Sequence, residues 1–194
     1  TLPRTGGRKL YHLIADQLHQ SGIKMGRDKF FDYLRNEHLL VAKRKKYHIT
    51  TNSKHWMRTY PNIVKDIKIV RPEQVWVADI TYLQVTKRHY YLHLITDAYS
   101  KKIVGYALAN NMLASTTTSA LKMALKNRKY NDQLIHHSDR GLQYSSSLYT
   151  SKLKEHNILI SMTEQSDPYE NAVAERVNGI LKDEYELNET FTDY

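Results

Sequence analysis

Three acids in this chain are spaced and surrounded in a way that could do chemistry. Asp79 sits inside WVADITYL, a run otherwise rich in apolar, aromatic and β-branched residues. Asp139 follows the short apolar pair Leu134-Ile135 and two histidines, within HHSDRGLQY. Glu175 comes later, with 35 residues between it and Asp139. A carboxylate buried bare in a strand costs several kcal/mol, so Asp79 must be paired, protonated or metal-bound. A strand ending in an acid and then a glycine is one way an α/β sheet presents a reactive side chain at its edge. In-line cleavage of a phosphodiester needs an activated attacking oxygen and a stabilised leaving oxygen, and two divalent ions about 3.5–4 Å apart supply both. Mg²⁺ takes hard oxygen ligands and keeps several waters, so three acids suffice, one bridging and two holding one ion each. The chain has no cysteine and no close histidine pair on a helix, which makes zinc a poor fit. Each acid also has a plainer reading, Asp79 as a salt-bridged core residue and Glu175 as a solvated one.

The elements that must hold these acids follow from periodicity. Trp76–Leu83, Tyr90–Thr96 and Ile103–Leu108 are rich in β-branched and aromatic residues and separated by polar turns, which predicts an antiparallel meander. Asp97 and Ser100 flank the second turn. A helix is predicted over about Ser115–Asn127, then a strand at Leu134-Ile135, a helix near Ser146–Glu155, a strand at Leu159–Met162 and a final helix over about Glu170–Tyr185. On that last helix Val173, Val177, Ile180 and Leu181 make an apolar stripe, and Glu175, Asn171, Asn178 and Lys182 fall opposite. If Glu175 acts on a phosphodiester, Lys182 shares its face and is placed to meet a phosphate.

Upstream, Leu10, Leu13, Ile14 and Leu18 take helical spacing until Ser21-Gly22. A second amphipathic stretch over about Asp28–Asn36 turns Phe31 and Leu34 inward and Arg27, Lys29 and Arg35 outward. The pair reads as a helix-turn-helix or as a plain helical hairpin. Lys43, Arg44, Lys45 and Lys46 follow, as a solvated charge run or as backbone phosphate contacts. Residues 1–48 are expected to be a DNA-binding segment, 49–70 a linker and 71–194 the catalytic core.

Composition agrees with a polyanionic partner: 29 Lys and Arg against 20 Asp and Glu give a formal charge of +9. The absence of cysteine excludes disulfides and fits a reducing cytosol. No stretch approaches the roughly 18 apolar residues of a membrane span. The first residue is Thr1 and the last is Tyr194, consistent with a piece of a longer protein.

WVADITYL, YLHLITDAYSKKIVGYAL, HHSDRGLQY and ENAVAERVNGILKDE together resemble the catalytic core of DDE transposases of bacterial insertion sequences, of the orfB type, over about residues 70–187. Residues 5–40 are similar to that family's N-terminal helix-turn-helix, and NSKHW…YPN to its connector. The resemblance implies a ribonuclease H-like α/β fold, a mixed five-stranded sheet with helices on both faces, related to retroviral integrases. It implies Asp79, Asp139 and Glu175 as metal-binding catalytic acids, with His137, Gly141, Gln143 and Asn171 beside the site. It implies two Mg²⁺ ions, with Mn²⁺ able to substitute, and cleavage and strand transfer of DNA at element ends and target sites. It further implies a homo-oligomer in the synaptic complex, an upstream-encoded helix-turn-helix partner, and work on DNA in the bacterial cytoplasm. Lys182, Arg176, Lys101, Lys102 and Lys43–Lys46 are candidate DNA contacts, although Arg176 could equally pair with a neighbouring acid. Glu170 stands where many relatives carry Asp, and the family's later helix and Arg-Pro motif have no counterpart here.

Three other classes are open. A DNA-binding remnant with a silent core would lack metal-dependent cleavage. A structure-selective nuclease of the same fold would leave nicks and no joined strands. A carboxylate-pair glycosidase would survive chelation.

Overall fold

The computed structural model describes residues 5–41, 56–85, 88–164, 172–187 and 190–191. The chain divides into two compact units, one built on the N-terminal helices with Ile180–Leu187, the other holding the sheet.

In the helical unit, α1 (Gly7–Gln20) and α2 (Arg27–Asn36) form the expected hairpin. Gly22 ends the first turn after α1 with φ 72°, a left-handed conformation that glycine adopts without strain. Tyr11 ties the hairpin together, its ring 5.5 Å from Phe30 and its hydroxyl donating to the Met25 carbonyl at 3.1 Å. The residues α2 buries are Phe30 and Leu34, one helical turn apart. Phe31, expected inward, is only half-buried and packs on Gly7, where a Cβ would come within 2.9 Å of its ring. Lys9 bonds the buried Glu184 in the same unit. Lys43–Lys46 lie outside the described residues.

The second unit is a mixed sheet. β1 (Val75–Val85), β2 (Arg88–Asp97) and β3 (Ile103–Ala109) pair as the antiparallel meander, and β4 (Ile135–Ser138) and β5 (Leu159–Met162) run parallel to β1. The strand order is β3-β2-β1-β4-β5, with the two-residue β6 (Thr190–Phe191) also pairing with the end of β1. α3 (Ala114–Lys126) follows the meander, and α4 (Leu142–Ser145) and α5 (Ser147–Glu155) connect β4 to β5. α6 (Ala172–Asp183) follows β5.

Alternation along β1 sorts the core into two layers. Trp76 and Ala78 face one way, into a cluster with Ile95, Ala120, Leu121, Ala124, Tyr149 and Leu153 from β2, α3 and α5. Val75 and Val77 face the other way, with Ile135, Ala98 and Ala174, and are covered by Ile63, Val64, Ile69 and Val173. Helices thus pack on both faces of the sheet. α3 comes so close to β3 at Gly105 that a Cβ there would lie 2.2 Å from the Ala120 carbonyl oxygen. Asp97 organises the β2–β3 turn, accepting from the Ser100 N–H and hydroxyl at 2.7 Å each and from the Glu73 N–H at 2.5 Å. Among the described residues no helix is long and apolar enough to cross a membrane.

The sheet departs from the expected elements in two places. β4 runs on through both histidines to Ser138, because their rings are buried on opposite sheet faces and replace apolar side chains there. α4 and β6 were not expected; at four and two residues they are too short to carry a period.

Candidate active site

The sheet register brings two of the three acids together. β1 pairs with β4 in parallel as Val75↔Ile135, Trp76↔His136 and Val77↔His137. The same offset sets Asp79 level with Asp139, just past the end of β4. Both are half-buried. Tyr144, fully buried in α4, senses both: burial first, then the charges of Asp139 and Asp79, hold its hydroxyl well above the usual phenol range. That hydroxyl is therefore a neutral group at any working pH.

Backbone and amide donors hold each aspartate. Asp139 Oδ1 accepts from the Gly141 N–H at 2.9 Å, a tight turn closing on the carboxylate. A Cβ at Gly141 would sit 2.9 Å from both Asp139 Oδ1 and Gln143 Oε1, so a larger residue here would push the Asp139 carboxylate from its place. Asp79 Oδ1 accepts from the Ile80 N–H at 2.8 Å, and Oδ2 accepts from the Asn178 amide of α6 at 2.5 Å. Both oxygens of the Asp79 carboxylate therefore have hydrogen-bond donors, which offset part of the cost of its burial.

Asn178 was missed as a site residue. The helical wheel put it on the polar face of α6 with Glu175, and that face is the one turned to Asp79. The signal was available: Glu175 and Asn178 are three apart and neighbours on a helix surface. Glu175 itself is exposed, in the first turn of α6. It is not gathered with the aspartates, and among the described residues no three His, Cys, Asp or Glu side chains stand close enough to hold a metal ion.

The remaining expected residues are placed as follows. His137 is buried, its Nδ1 2.9 Å from Ser161 Oγ on β5, so it braces the strand pair two residues before Asp139. His136 turns to the opposite face, where its Nε2 meets the Tyr149 hydroxyl at 2.9 Å. Burial, and secondarily the neighbouring His137, push its pKa down to about 3, so it is neutral at physiological pH. Arg140 donates to the Thr163 carbonyl at 2.5 Å and fastens the loop after β4 to the end of β5. Arg176 is exposed on α6; Lys182 is half-buried in the last turn of α6, within the helical unit. Asn171 lies outside the described residues.

The donor set suits a hard divalent cation: one carboxylate inside β1 and one just past the end of β4, with the Asn178 carbonyl oxygen buried and bonded to no other group among the described residues. No thiolate competes. Asp79 and Asp139 could hold such an ion from the sheet side, and Glu175 could reach it from the helix side.

A mixed sheet of this strand order with helices on both faces is a ribonuclease H-like fold. The family model for the integrase core domain matches residues 70–168. The chain belongs to the integrase core domain family. It is 36% identical over 172 residues to the 31 kDa protein of insertion element IS600 from Shigella sonnei, covering 88% of this chain and 63% of that one. It is 31% identical over 170 residues to the InsF transposase of insertion sequence IS3A from Escherichia coli, covering 87% of this chain and 59% of the relative. The chain thus spans about three-fifths of the length of these relatives. Among solved structures, the simian T-cell lymphotropic virus intasome is similar in fold, with TM-score 0.54 and 20% identity, over 91% of this chain and 59% of the viral one.

Proposed function

We propose that this chain is the catalytic portion of an insertion-sequence transposase, cleaving and joining DNA phosphodiesters with Asp79, Asp139 and Glu175. The observation that carries the reading is the shared register level of Asp79 and Asp139, with the polar face of α6 bonded to Asp79 through Asn178. Transposases among the relatives, and the four motifs in order, support the same reading.

Mg²⁺, or Mn²⁺ in its place, would supply activation of the attacking water or 3′-hydroxyl and charge stabilisation at the leaving oxygen. The protein's own part is positional. The Gly141 N–H fixes the Asp139 carboxylate, and the Ile80 N–H and Asn178 amide fix that of Asp79. Glu175 completes the acid set from α6. His137, through Ser161, keeps β4 and β5 in register behind Asp139. Arg176, Lys182 and Lys43–Lys46 contact DNA phosphates, and α1–α2 act as a DNA-binding hairpin. The partners are element ends, target DNA and further copies of the same chain in a synaptic complex, together with an upstream-encoded helix-turn-helix protein, in the bacterial cytoplasm.

The test is strand transfer of a labelled element-end duplex by the whole protein with Mg²⁺ or Mn²⁺. Asp79→Asn, Asp139→Asn and Glu175→Gln each abolish joined product while leaving the thermal unfolding midpoint nearly unchanged. A variant that keeps near-normal turnover removes that residue from the trio. A whole protein that binds DNA but yields no cleavage returns the chain to a binding module.

A further inference from the structure

Away from the acids, the stretch that resembles the family's connector brings an exposed aromatic and two cations together. Trp56 is 91% exposed, whereas the only other tryptophan, Trp76, is fully buried. The Arg58 guanidinium carbon lies 5.2 Å from the centroid of the Tyr60 ring, and Lys154 Nζ, from α5, lies 5.9 Å from the same ring. Tyr60 is anchored against the core cluster that includes Tyr149 and Leu153 of α5. One ring therefore steadies two cations, and the indole beside them in sequence faces water. An isolated exposed Trp is unremarkable on a surface. An exposed indole in sequence with an aromatic that two cations flank is the composition that takes nucleic-acid strands, bases on the π faces and phosphates on the cations.

Position argues the same way. The Met162 N–H donates to the Pro61 carbonyl at 3.4 Å and the Ile63 N–H to Ser161 Oγ at 3.1 Å, so this segment runs along the outer edge of β5. Ser138 pairs with Met162, which sets Pro61 level with the end of β4. Two strand spacings, about 10 Å, separate it from the strand end that carries Asp139. That is about three nucleotide rises of 3.4 Å each. Glu164 also bonds this segment, accepting the Asn62 N–H at 3.1 Å.

We propose that Trp56, Arg58, Tyr60 and Lys154 form a platform for unpaired DNA at the β5 edge of the sheet, on the face of Trp76 and Ala78, with a base stacked on Trp56 and the flanking phosphates on Arg58 and Lys154. The inference rests on the transposase reading only in taking DNA as the polymer. An unpaired strand is favoured over duplex because the indole needs a base face, which a closed duplex hides.

The test uses tryptophan emission of the whole chain, since Trp56 is the solvent-facing emitter. A single-stranded oligo(dT) of about 12 nucleotides quenches it, and blunt duplex of equal length quenches it far less. Trp56→Ala removes the quench and weakens oligo(dT) binding about tenfold. Arg58→Ala and Lys154→Ala each weaken binding and lower the slope of log affinity against log salt by about 0.7, the single-strand value per phosphate contact. Unchanged affinity in Trp56→Ala, or equal quenching by duplex and single strand, overturns the proposal. So does an emission change that tracks protein concentration without DNA and accompanies a dimer in sedimentation, which assigns Trp56 to self-association. Quenching that persists in a wild-type chain unable to cleave upholds the platform and removes the transposase reading, so the two fail separately.

Discussion

Gly141→Ala separates the placement of a carboxylate from the stability of the fold. The glycine has φ −61° and ψ 147°, which alanine adopts without strain. Losing glycine's freedom in the unfolded chain stabilises by about 0.4–1 kcal/mol. Against this, the new Cβ meets Asp139 Oδ1 and Gln143 Oε1, both at 2.9 Å. Both atoms are the ends of side chains and can move; neither is backbone. Restoring ordinary contact requires each oxygen to retreat by about 0.5 Å, with a clash energy of about 1 kcal/mol relieved by rotation. The two effects nearly cancel in stability. They do not cancel at the site, because the retreat turns Asp139 away from the Gly141 N–H that orients it. A misplacement of about 1 Å costs about 10²-fold in rate, so a retreat of about half that costs on the order of tenfold. Gly141→Ala is therefore expected to unfold within about 1 kcal/mol of wild type in urea and to lose on the order of tenfold in Mg²⁺-dependent strand transfer. Wild-type turnover in this variant would refute the placement argument. Activity lost in proportion to stability would show that Gly141 serves the fold instead.

Gly105→Ala should do the reverse: its Cβ meets the backbone oxygen of Ala120 at 2.2 Å and cannot be accommodated by a rotamer, so α3 must lift from the sheet. A loss of about 3 kcal/mol or more in urea unfolding is expected, and a loss under 1 kcal/mol would mean that α3 slides freely. Asn178→Ala removes the amide from Asp79 Oδ2 and should lower strand transfer about tenfold to a hundredfold with a raised requirement for Mg²⁺; an unchanged metal titration would deny Asn178 a positioning role. His136, held neutral with a pKa of about 3, ties stability to pH. Its folded pKa is depressed below the unfolded value of about 6.5, so its contribution is complete above that value and declines as pH falls towards 3. The slope reaches about 1.4 kcal/mol per pH unit in that window; His136→Phe should flatten it in thermal melts, and an unaltered slope assigns acid sensitivity to other groups.

What could be read from the sequence follows the length scale of the interactions. The meander, the two parallel strands and the long helices are each set by periodic burial over seven or more residues or by their flanking turns, and they appear where periodicity puts them. α4 and β6 escaped because four and two residues carry no period. The two histidines misled for a related reason. Polar residues after Leu134-Ile135 look like the end of a strand, yet Ser161 and Tyr149, distant in sequence, supply the partners that let both rings be buried. Partners that arrive from other elements cannot be seen in a local window. The same holds for Phe30, not named among the inward residues of α2, which packs on the Tyr11 ring of α1.

The acids divide by the same logic. Asp79 and Asp139 are fixed relative to each other by a constant offset between paired strands, a constraint that the backbone ladder enforces whatever the side chains do. Glu175 has no such ladder. Its position depends on how α6 docks, and α6 docks on this unit through Val173, Ala174 and Val177 on its apolar side and Asn178 on its polar side. Glu175 and Asn178 lie about 60° apart around the helix, so bonding Asn178 to Asp79 turns the same polar face of α6 towards the site while Glu175 itself stays exposed. Two acids built into a rigid sheet and a third carried on a helix make the third the one whose contribution is sensitive to helix docking. Substitutions that loosen that docking, Ala174→Gly for instance, should therefore weaken cleavage more than Asp139-side packing changes of equal stability cost, and equal losses would place all three acids under a single structural control.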